Sequence, residues 1–472
     1  MKSIYLKKPV FFVILALAFA NVGFAQKSKK AVQLVDERNV RAQMEFLASD
    51  AMQGRGSGTQ FELLAGQYIA SQLRQFGVEP AGDNNSYIQT INITRNTFAA
   101  PPKLTFKTND GQQKSAEHGK EMLVLRIGAA EIVGPLQKVN LDDKPQSGAV
   151  VFISLRETDT PQSVNQKMQS FFSSGAKAVI VEETPQWRAQ WENIASRKIS
   201  FSAIDGSGGS FFNLIVVSRD FAKELAQIAD GAEIIIKGEL DTPQKLQTWN
   251  AVGKLTGTDA RLSSEVVLLS AHMDHLGVRE NAPGDDKIFN GADDDASGCV
   301  AVLELARVLA GGERPKRTVY FAFFGSEEAG GYGSQYFVNT LPFPKEKLIA
   351  NLQFEMIGRP DPKVAANELW LTGYDRSNLG AELARQGAKL VADPHPEQNF
   401  FQRSDNYTLA RQGIVAHTVS SFGLHTDYHR AGDELKLIDF QHMTQAINSM
   451  VKPVLWLVNS DFKPAWYEGK KP

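Results

Sequence analysis

Val266-Val267-Leu268-Leu269-Ser270-Ala271-His272-Met273-Asp274-His275 is an apolar run of strand length that stops on side chains able to bind metal or move protons. Apolar without regular alternation, it suits a strand buried on both faces. Four more compact runs share that character: Thr318–Phe324, Ile349–Phe354, Glu368–Thr372 and Ile414–Val419. Helical stretches lie between them at Ala296–Leu309, Ser334–Asn339 and Asn378–Leu390, and Asp439 to Val458 closes the chain as a long helix. Alternation of strand and helix predicts an α/β fold, a three-layer αβα sandwich around a mostly parallel mixed sheet. Such sheets bind ligands beyond the carboxyl ends of their strands.

The polar motifs fall at those ends. In extended chain His272 and Asp274 project to one side, and a carboxylate next to an imidazole can orient a neutral, metal-binding histidine. Asn290-Gly291-Ala292-Asp293-Asp294-Asp295-Ala296-Ser297-Gly298 precedes a helix. Capping and the helix dipole account for one or two acids there; three adjacent carboxylates repel one another, and a divalent cation would account for them all. Gly325-Ser326-Glu327-Glu328 follows the run ending at Phe324, and Glu355-Met356-Ile357-Gly358 follows the run ending at Phe354. A carboxylate at the end of a buried strand needs a partner. Gly423-Leu424-His425-Thr426-Asp427-Tyr428-His429 completes the set. The chain has 8 histidines, and His272, His275, His425 and His429 all lie in two of these motifs.

Imidazole and carboxylate ligands without thiolate suit zinc, with cobalt or manganese as substitutes. Two histidines and three carboxylates serve two ions when one carboxylate bridges, and paired ions about 3.5–4 Å apart are a hydrolytic arrangement. There is no His-Glu-x-x-His helix and no Gly-x-Ser-x-Gly elbow, which argues against a zincin and a serine hydrolase.

A net charge of -2 offers no basic surface for nucleic acid or an anionic membrane. Lys2, Lys7 and Lys8, the apolar run Val10–Ala20 and then Gly23-Phe24-Ala25 read as a signal peptide over residues 1–25, cleaved after Ala25. The expected product is exported, periplasmic or extracellular. No cysteine for a lipid anchor lies near the cleavage site, and no later segment is apolar enough for stable membrane insertion. The single cysteine, Cys299, cannot form an internal disulfide and reads as a core residue. Asp36 caps a helix running to about Ala48, Gly54–Gly58 breaks it, and Phe61–Phe76 is an amphipathic helix. From His118 to Gly238, short β-rich runs (Ala149–Ser154, Ala178–Glu182, Asn213–Val217) alternate with Gly/Ser-rich loops and helical Lys167–Ser174 and Asp220–Ala229. That stretch carries no His/Asp/Glu cluster. It is expected to be an inserted β-rich α+β domain, 118–238, within a domain formed by 26–117 and 239–472.

Taken in order, His-x-Asp, Gly-Ala-Asp-Asp-x-Ala-Ser-Gly, Glu-Glu, Glu-Met and Tyr-His resemble the zinc exopeptidase family that contains secreted bacterial aminopeptidases and glutamate carboxypeptidase. Gly54-Arg55-Gly56-Ser57-Gly58 and Gly77-Val78-Glu79-Pro80-Ala81-Gly82-Asp83-Asn84 share the likeness. It covers the N-terminal helices and nearly everything after Val252; Gly148–Val151 and Gly175–Ile180 resemble a protease-associated domain. The resemblance implies that Asp294 bridges two zinc ions, that His272 and Glu355 complete one position, and that Glu328 and His429 complete the other. It implies Glu327 as general base, deprotonating a water between the ions, and Asp274 as the group orienting His272. Tyr428 would then donate a hydrogen bond to the developing oxyanion. A cis peptide is implied between Asp294 and Asp295. Many relatives carry Asp where this chain has Glu355, and Ser-Asp-His where it has Ser404-Asp405-Asn406. The implied activity is a metallo-aminopeptidase acting on peptide substrates. A carboxypeptidase or dipeptidase, a one-zinc glutaminyl cyclase-like enzyme and a non-catalytic binding protein stay open as other uses of the scaffold, and the sequence leaves the oligomeric state undecided.

Overall fold

Every residue of Val266–His272, Thr318–Phe324 and Leu348–Phe354 is buried, as expected of strands apolar on both faces. The computed structural model describes Met1 and residues 34–472 except 154, 157–163, 165–166, 169, 173 and 207–212. The expected leader, and part of the expected helix Lys167–Ser174, lie outside the described residues.

The main sheet has 10 strands. Nine are β1 (Ile88–Thr97), β2 (Ser200–Ile204), β3 (Gln244–Leu255), β4 (Val266–His272), β5 (Thr318–Phe324), β6 (Leu348–Phe354), β7 (Leu369–Leu371), β8 (Leu390–Ala392) and β9 (Ala416–Ser420). Their order is β8-β7-β9-β6-β4-β5-β3-β1-β2, and the short strand Glu79–Pro80 also pairs with β3. The centre, β9-β6-β4-β5, is parallel. On one side β3, β1 and β2 continue antiparallel, and on the other β7 runs antiparallel to β9.

Alternate residues of the central strands face two helical layers. Val267, Leu269 and Ala271 pack with Val40 and Met44 of α1 (Glu37–Leu47), Ile69 of α2 (Gln60–Gln75), Val302 of α3 (Gly298–Gly311) and Ile447 of α6 (Phe440–Asn459). Leu268, Ala322 and Phe324 pack on the opposite face with Phe337 of α4 (Tyr332–Asn339) and Leu409 of α5 (Asp405–Ala410). Each fully buried Leu, Val or Phe contributes roughly 1.5–3 kcal/mol. Asp36 caps α1 by accepting from Arg38 N. The helix expected over Asn378–Leu390 is shorter, Leu379–Arg385: Gly387 takes φ 104°, outside helical geometry, and Leu390 already belongs to β8.

A second sheet of 8 strands has its own cores, Ile180 and Phe221 on one face, Val179 and Trp191 on the other. It takes in Lys103–Lys107 and Gln113–Glu117, ahead of residue 118, whereas β2, from within 118–238, pairs with β1 of the main sheet. Among the described residues no helix is long and apolar enough to cross a membrane.

Candidate metal centre

Parallel pairing puts the carboxyl ends of β4, β5 and β6 side by side, with His272 opposite Phe324. Glu327 and Glu328 follow β5 directly and Glu355 follows β6, so the sheet delivers His272 and three carboxylates to one edge. Asp293, Asp294 and Asp295 enter from the irregular turn Ala292–Ser297 that leads into α3.

The three acids of that turn are unequal. Asp293 accepts from Gly358 N (2.8 Å) and Ser297 Oγ (3.2 Å) and pairs with His425 Nε2 (3.0 Å). Asp295 accepts from Gly298 N (3.0 Å), Met356 N (3.1 Å) and His272 N (3.2 Å). These two acids tie the turn to neighbouring backbone. Asp294 Oδ2 has no hydrogen-bond partner and points into the site. The Asp294–Asp295 peptide is cis.

Around Asp294 the expected side chains converge. His272 Nε2 lies 3.1 Å from Asp294 Oδ1 and 4.0 Å from Glu355 Oε1; His429 Nε2 lies 3.2 Å from Asp294 Oδ2 and 3.1 Å from Glu328 Oε1. The expectation did not include His275. Its Nδ1 stands 2.9 Å from Glu328 Oε1 and 3.7 Å from Asp294 Oδ2. Two groups therefore have ligand atoms within 4.8 Å of one another, His272–Asp294–Glu355 and His275–Asp294–Glu328, with Asp294 common to both. An ion with bonds of about 2.0 Å in a tetrahedron separates its ligands by about 3.3 Å, so these spacings fit a cation between them.

The hydrogen-bond census supports the fit. His272 Nε2, His275 Nδ1, Asp294 Oδ2, Glu328 Oε1 and Glu355 Oε2 are all buried without a partner. Each such atom costs about 1–3 kcal/mol unless something binds it. Without an ion the imidazoles and carboxylates pair with one another. Burial alone would raise Asp294, yet His275, His272 and His429 hold it well below the usual carboxylate range. Burial would lower His272, but Asp274 and Asp294 raise it well above its ordinary value.

Asp274 accepts from Ser57 Oγ (2.5 Å), Glu327 N (3.0 Å) and Glu328 N (3.3 Å), which fixes the turn after β5. His272 Nδ1 is closer to the Asp274 carbonyl oxygen (3.2 Å) than to its carboxylate (3.7 Å). Both are acceptors, so Nδ1 carries a proton and Nε2 is the ring nitrogen turned toward Asp294. Burial, with Asp405, Glu355 and Glu328 nearby, pushes Glu327 well above the ordinary glutamate range. Tyr428 stacks on His429 (ring centroids 3.9 Å apart) and lines a recess with Glu355, Trp370, Phe400, Arg403 and Phe422. Asp427 pairs with Arg359 (2.9 Å).

Three buried residues that the sequence left unassigned hold this frame. The Arg55 guanidinium, 1% exposed, donates to Leu47 O, Met273 O, Asn290 O and Gly291 O. Glu62 accepts from Ser326 N and Gly58 N, and Asp433 accepts from Asp293 N and Asp294 N.

Residues 250–453 match the family model for Peptidase family M28. The matched segment is similar to a peptidase family M28 domain. It supplies every residue of the converging set, from His272 to His429. Among curated proteins the chain is 34% identical over 140 residues to the leupeptin-inactivating enzyme 1 of Streptomyces exfoliatus, covering 27% of this chain and 29% of that protein. It is 36% identical over 121 residues to an aminopeptidase of Pseudomonas aeruginosa (25% and 20%), and 27% identical over 210 residues to a probable leucine aminopeptidase 2 of Arthroderma benhamiae (42% and 39%). The chain thus spans well under two thirds of these relatives. Among solved structures, the aminopeptidase from Aneurinibacillus sp. strain AM-1 superposes with a TM-score of 0.50 at 19% identity, covering 90% of this chain and 94% of that one. BSAP, a zinc aminopeptidase from Bacillus subtilis, gives 0.50 at 21% identity, covering 92% and 97%. At those identities the likeness is one of fold, and that fold is the α/β architecture that the sequence predicted.

Proposed function

We propose that the protein is a zinc-dependent aminopeptidase holding two ions that share Asp294. One observation carries the reading: the orphaned buried atoms of His272, Asp294, Glu328 and Glu355 face one another at ligand spacing. His272 and Glu355 would complete one position, Glu328 and His429 the other. Bound zinc supplies Lewis acidity and lowers the pKa of water. Glu327 takes the proton of the attacking water and passes it to the leaving amine, and burial beside other carboxylates pushes its pKa up, which makes it a stronger base. Tyr428, kept protonated by burial, donates a hydrogen bond to the carbonyl oxygen as charge develops there. Asp274 positions the Glu327 and Glu328 backbone and His272.

The recess beside Glu355 has Trp370, Phe400 and Phe422 as apolar walls, with Thr372, Ser404 and Thr418 completing its lining, and suits an N-terminal side chain with an apolar body. Similarity to a probable leucine aminopeptidase agrees with this. On the His429 side, a wider groove along Leu276–Pro283 and Phe289 leaves room for the departing peptide. In this reading residues 1–25 direct export, and the second sheet is the protease-associated-like insert. The test pairs elemental analysis with a substrate panel. Two zinc per chain, with cleavage of Leu- and Phe-arylamides and none of N-blocked peptides, is expected. One zinc with glutaminyl cyclisation, or release from the carboxyl end, would overturn the reading.

A further inference from the structure

We infer that His395, which stands outside the lining of the recess, fixes the recess's aromatic wall and so sets how well the protein tells large N-terminal side chains from small ones. The inference rests on the reading that this recess takes the N-terminal side chain. Trp370 and Phe400 line the recess with their rings stacked, centroids 5.4 Å apart. The His395 ring meets both edge-on, at 6.4 and 6.2 Å, a contact that aromatic rings favour. This wall is set apart from the main core: Trp370 and Phe400 pack in a small cluster with Met356 and Phe422. Phe400 opens the short turn Phe400–Gln402, which follows another, Pro396–Gln398, on the loop after the edge strand β8. A wall with so little apolar packing behind it is free to shift unless something else pins it.

His395 supplies the pin. It is 2% exposed, as is Asp361. Its Nε2 lies 2.8 Å from Asp361 Oδ2 and its Nδ1 lies 3.1 Å from Lys363 Nζ. An ammonium only donates, so Nδ1 accepts and Nε2–H donates to Asp361. Bonded at both nitrogens, the ring has one orientation to offer Trp370 and Phe400. The backbone closes the arrangement: Lys363 N donates to Asp361 Oδ1 (2.8 Å), His395 N donates to Asp393 Oδ1 (2.7 Å), and Lys363 Nζ also donates to Pro394 O (3.3 Å). The loop after β6, which carries Asp361, is thus joined to the loop after β8, which carries Phe400. The loop that carries Tyr428 rests against the same place, since a Cβ at Gly423 would stand 2.6 Å from Pro362 Cδ and 3.0 Å from Asp361 Cα. Burying a carboxylate is costly unless it is bonded, and the bonds that Asp361 makes are the ones that hold this wall.

The test is the ratio of kcat/KM for Leu- and Phe-arylamide to kcat/KM for Ala-arylamide, measured on one preparation so that the fraction folded cancels. The parent should favour Leu and Phe. His395→Ala should lower both ratios about 10-fold, within the range that pocket contacts supply. The loss should fall on KM for the Leu and Phe substrates, with kcat for Ala-arylamide and the zinc content by elemental analysis kept. His395→Gln, whose amide N–H can still reach Asp361, should recover most of the ratio. Parental ratios in His395→Ala overturn the inference and leave the recess reading in place, as does an equal fall for all three substrates. A parent that cleaves the three alike overturns the recess reading, and the inference with it.

Discussion

Arg55→Met tests whether the metal loops are held by a cation remote from the metal. The guanidinium donates at 2.5 Å to Leu47 O, 2.9 Å to Met273 O, 2.7 Å to Asn290 O and 2.8 Å to Gly291 O. Met273 stands between His272 and Asp274, and Gly291 leads into the triple-acid turn, so one side chain joins both ligand-bearing loops. Met keeps much of the aliphatic stem and removes every donor. Four buried carbonyls then lose a charged donor, and Asp274, Asp295 and Asp433 lose a neighbouring positive charge. Relief of the cation's own desolvation offsets part of this. The balance resembles the breaking of a buried charge pair, about 3–5 kcal/mol. Arg55→Lys retains the charge but cannot span four acceptors with one ammonium, and should lose about half as much. Urea unfolding of metal-stripped protein reads the stability, and a zinc titration reads the coupling to the site. The zinc affinities should fall at both positions, because the loops that carry His272 and Asp294 are no longer fixed to each other. An Arg55→Met protein within about 1 kcal/mol of the parent, with unchanged zinc binding, would refute the argument.

Other perturbations separate roles within the site. Glu327→Gln should keep both ions by elemental analysis and lose about 10²–10⁴-fold in kcat; parental turnover would remove it as the base. Gly298→Ala places a Cβ 2.2 Å from Phe354 O and 2.4 Å from Asp295 Oδ1, so it should destabilise by about 1–3 kcal/mol or more in thermal melts. Phe400→Ala opens the recess where Phe400 stacks on Trp370, and should raise KM for Leu- and Phe-arylamides while leaving Ala-arylamide nearly unchanged. His417 has its Nδ1 on Thr372 O and its Nε2 on Ser377 Oγ, and burial lowers its pKa to about 4 from 6.5. The unfolded chain therefore takes up this proton first as pH falls, and the folded state loses about 3 kcal/mol between pH 6.5 and 4. His417→Asn should remove that slope, so the stability gap to the parent narrows by this amount on acidification; parallel curves would exclude the assignment.

What the sequence disclosed and what it hid follow from where each residue finds its partner. β4, β5 and β6 are buried on both faces, so their apolar runs are legible one strand at a time, and the motifs at their ends announce the site. β1 and β3 escaped because antiparallel strands at the sheet's flank carry polar residues: β1 reads Ile-Gln-Thr-Ile-Asn-Ile-Thr-Arg-Asn-Thr, with only alternate positions buried over its first half. Asp433 sits in an Ala-Gly-Asp-Glu turn and Glu62 in the first turn of α2, both settings in which an acid is ordinarily solvated. Each is instead buried against backbone N–H groups far away in the chain, Asp433 with Asp293 and Asp294, Glu62 with Ser326. Neither composition nor periodicity registers a partner more than a hundred positions away. His275 is the sharpest instance. Next to His272 and Asp274 it reads as one more polar residue of a motif, and the sequence shows only that histidines concentrate there. Its environment becomes visible when Gly291 is seen to give up its side chain to the ring and Glu328 and Asp294 are seen to meet it. The chemistry of a site at strand ends is thus written locally, while the choice of which side chains meet at ligand spacing is made by the turns that bring separate strand ends together.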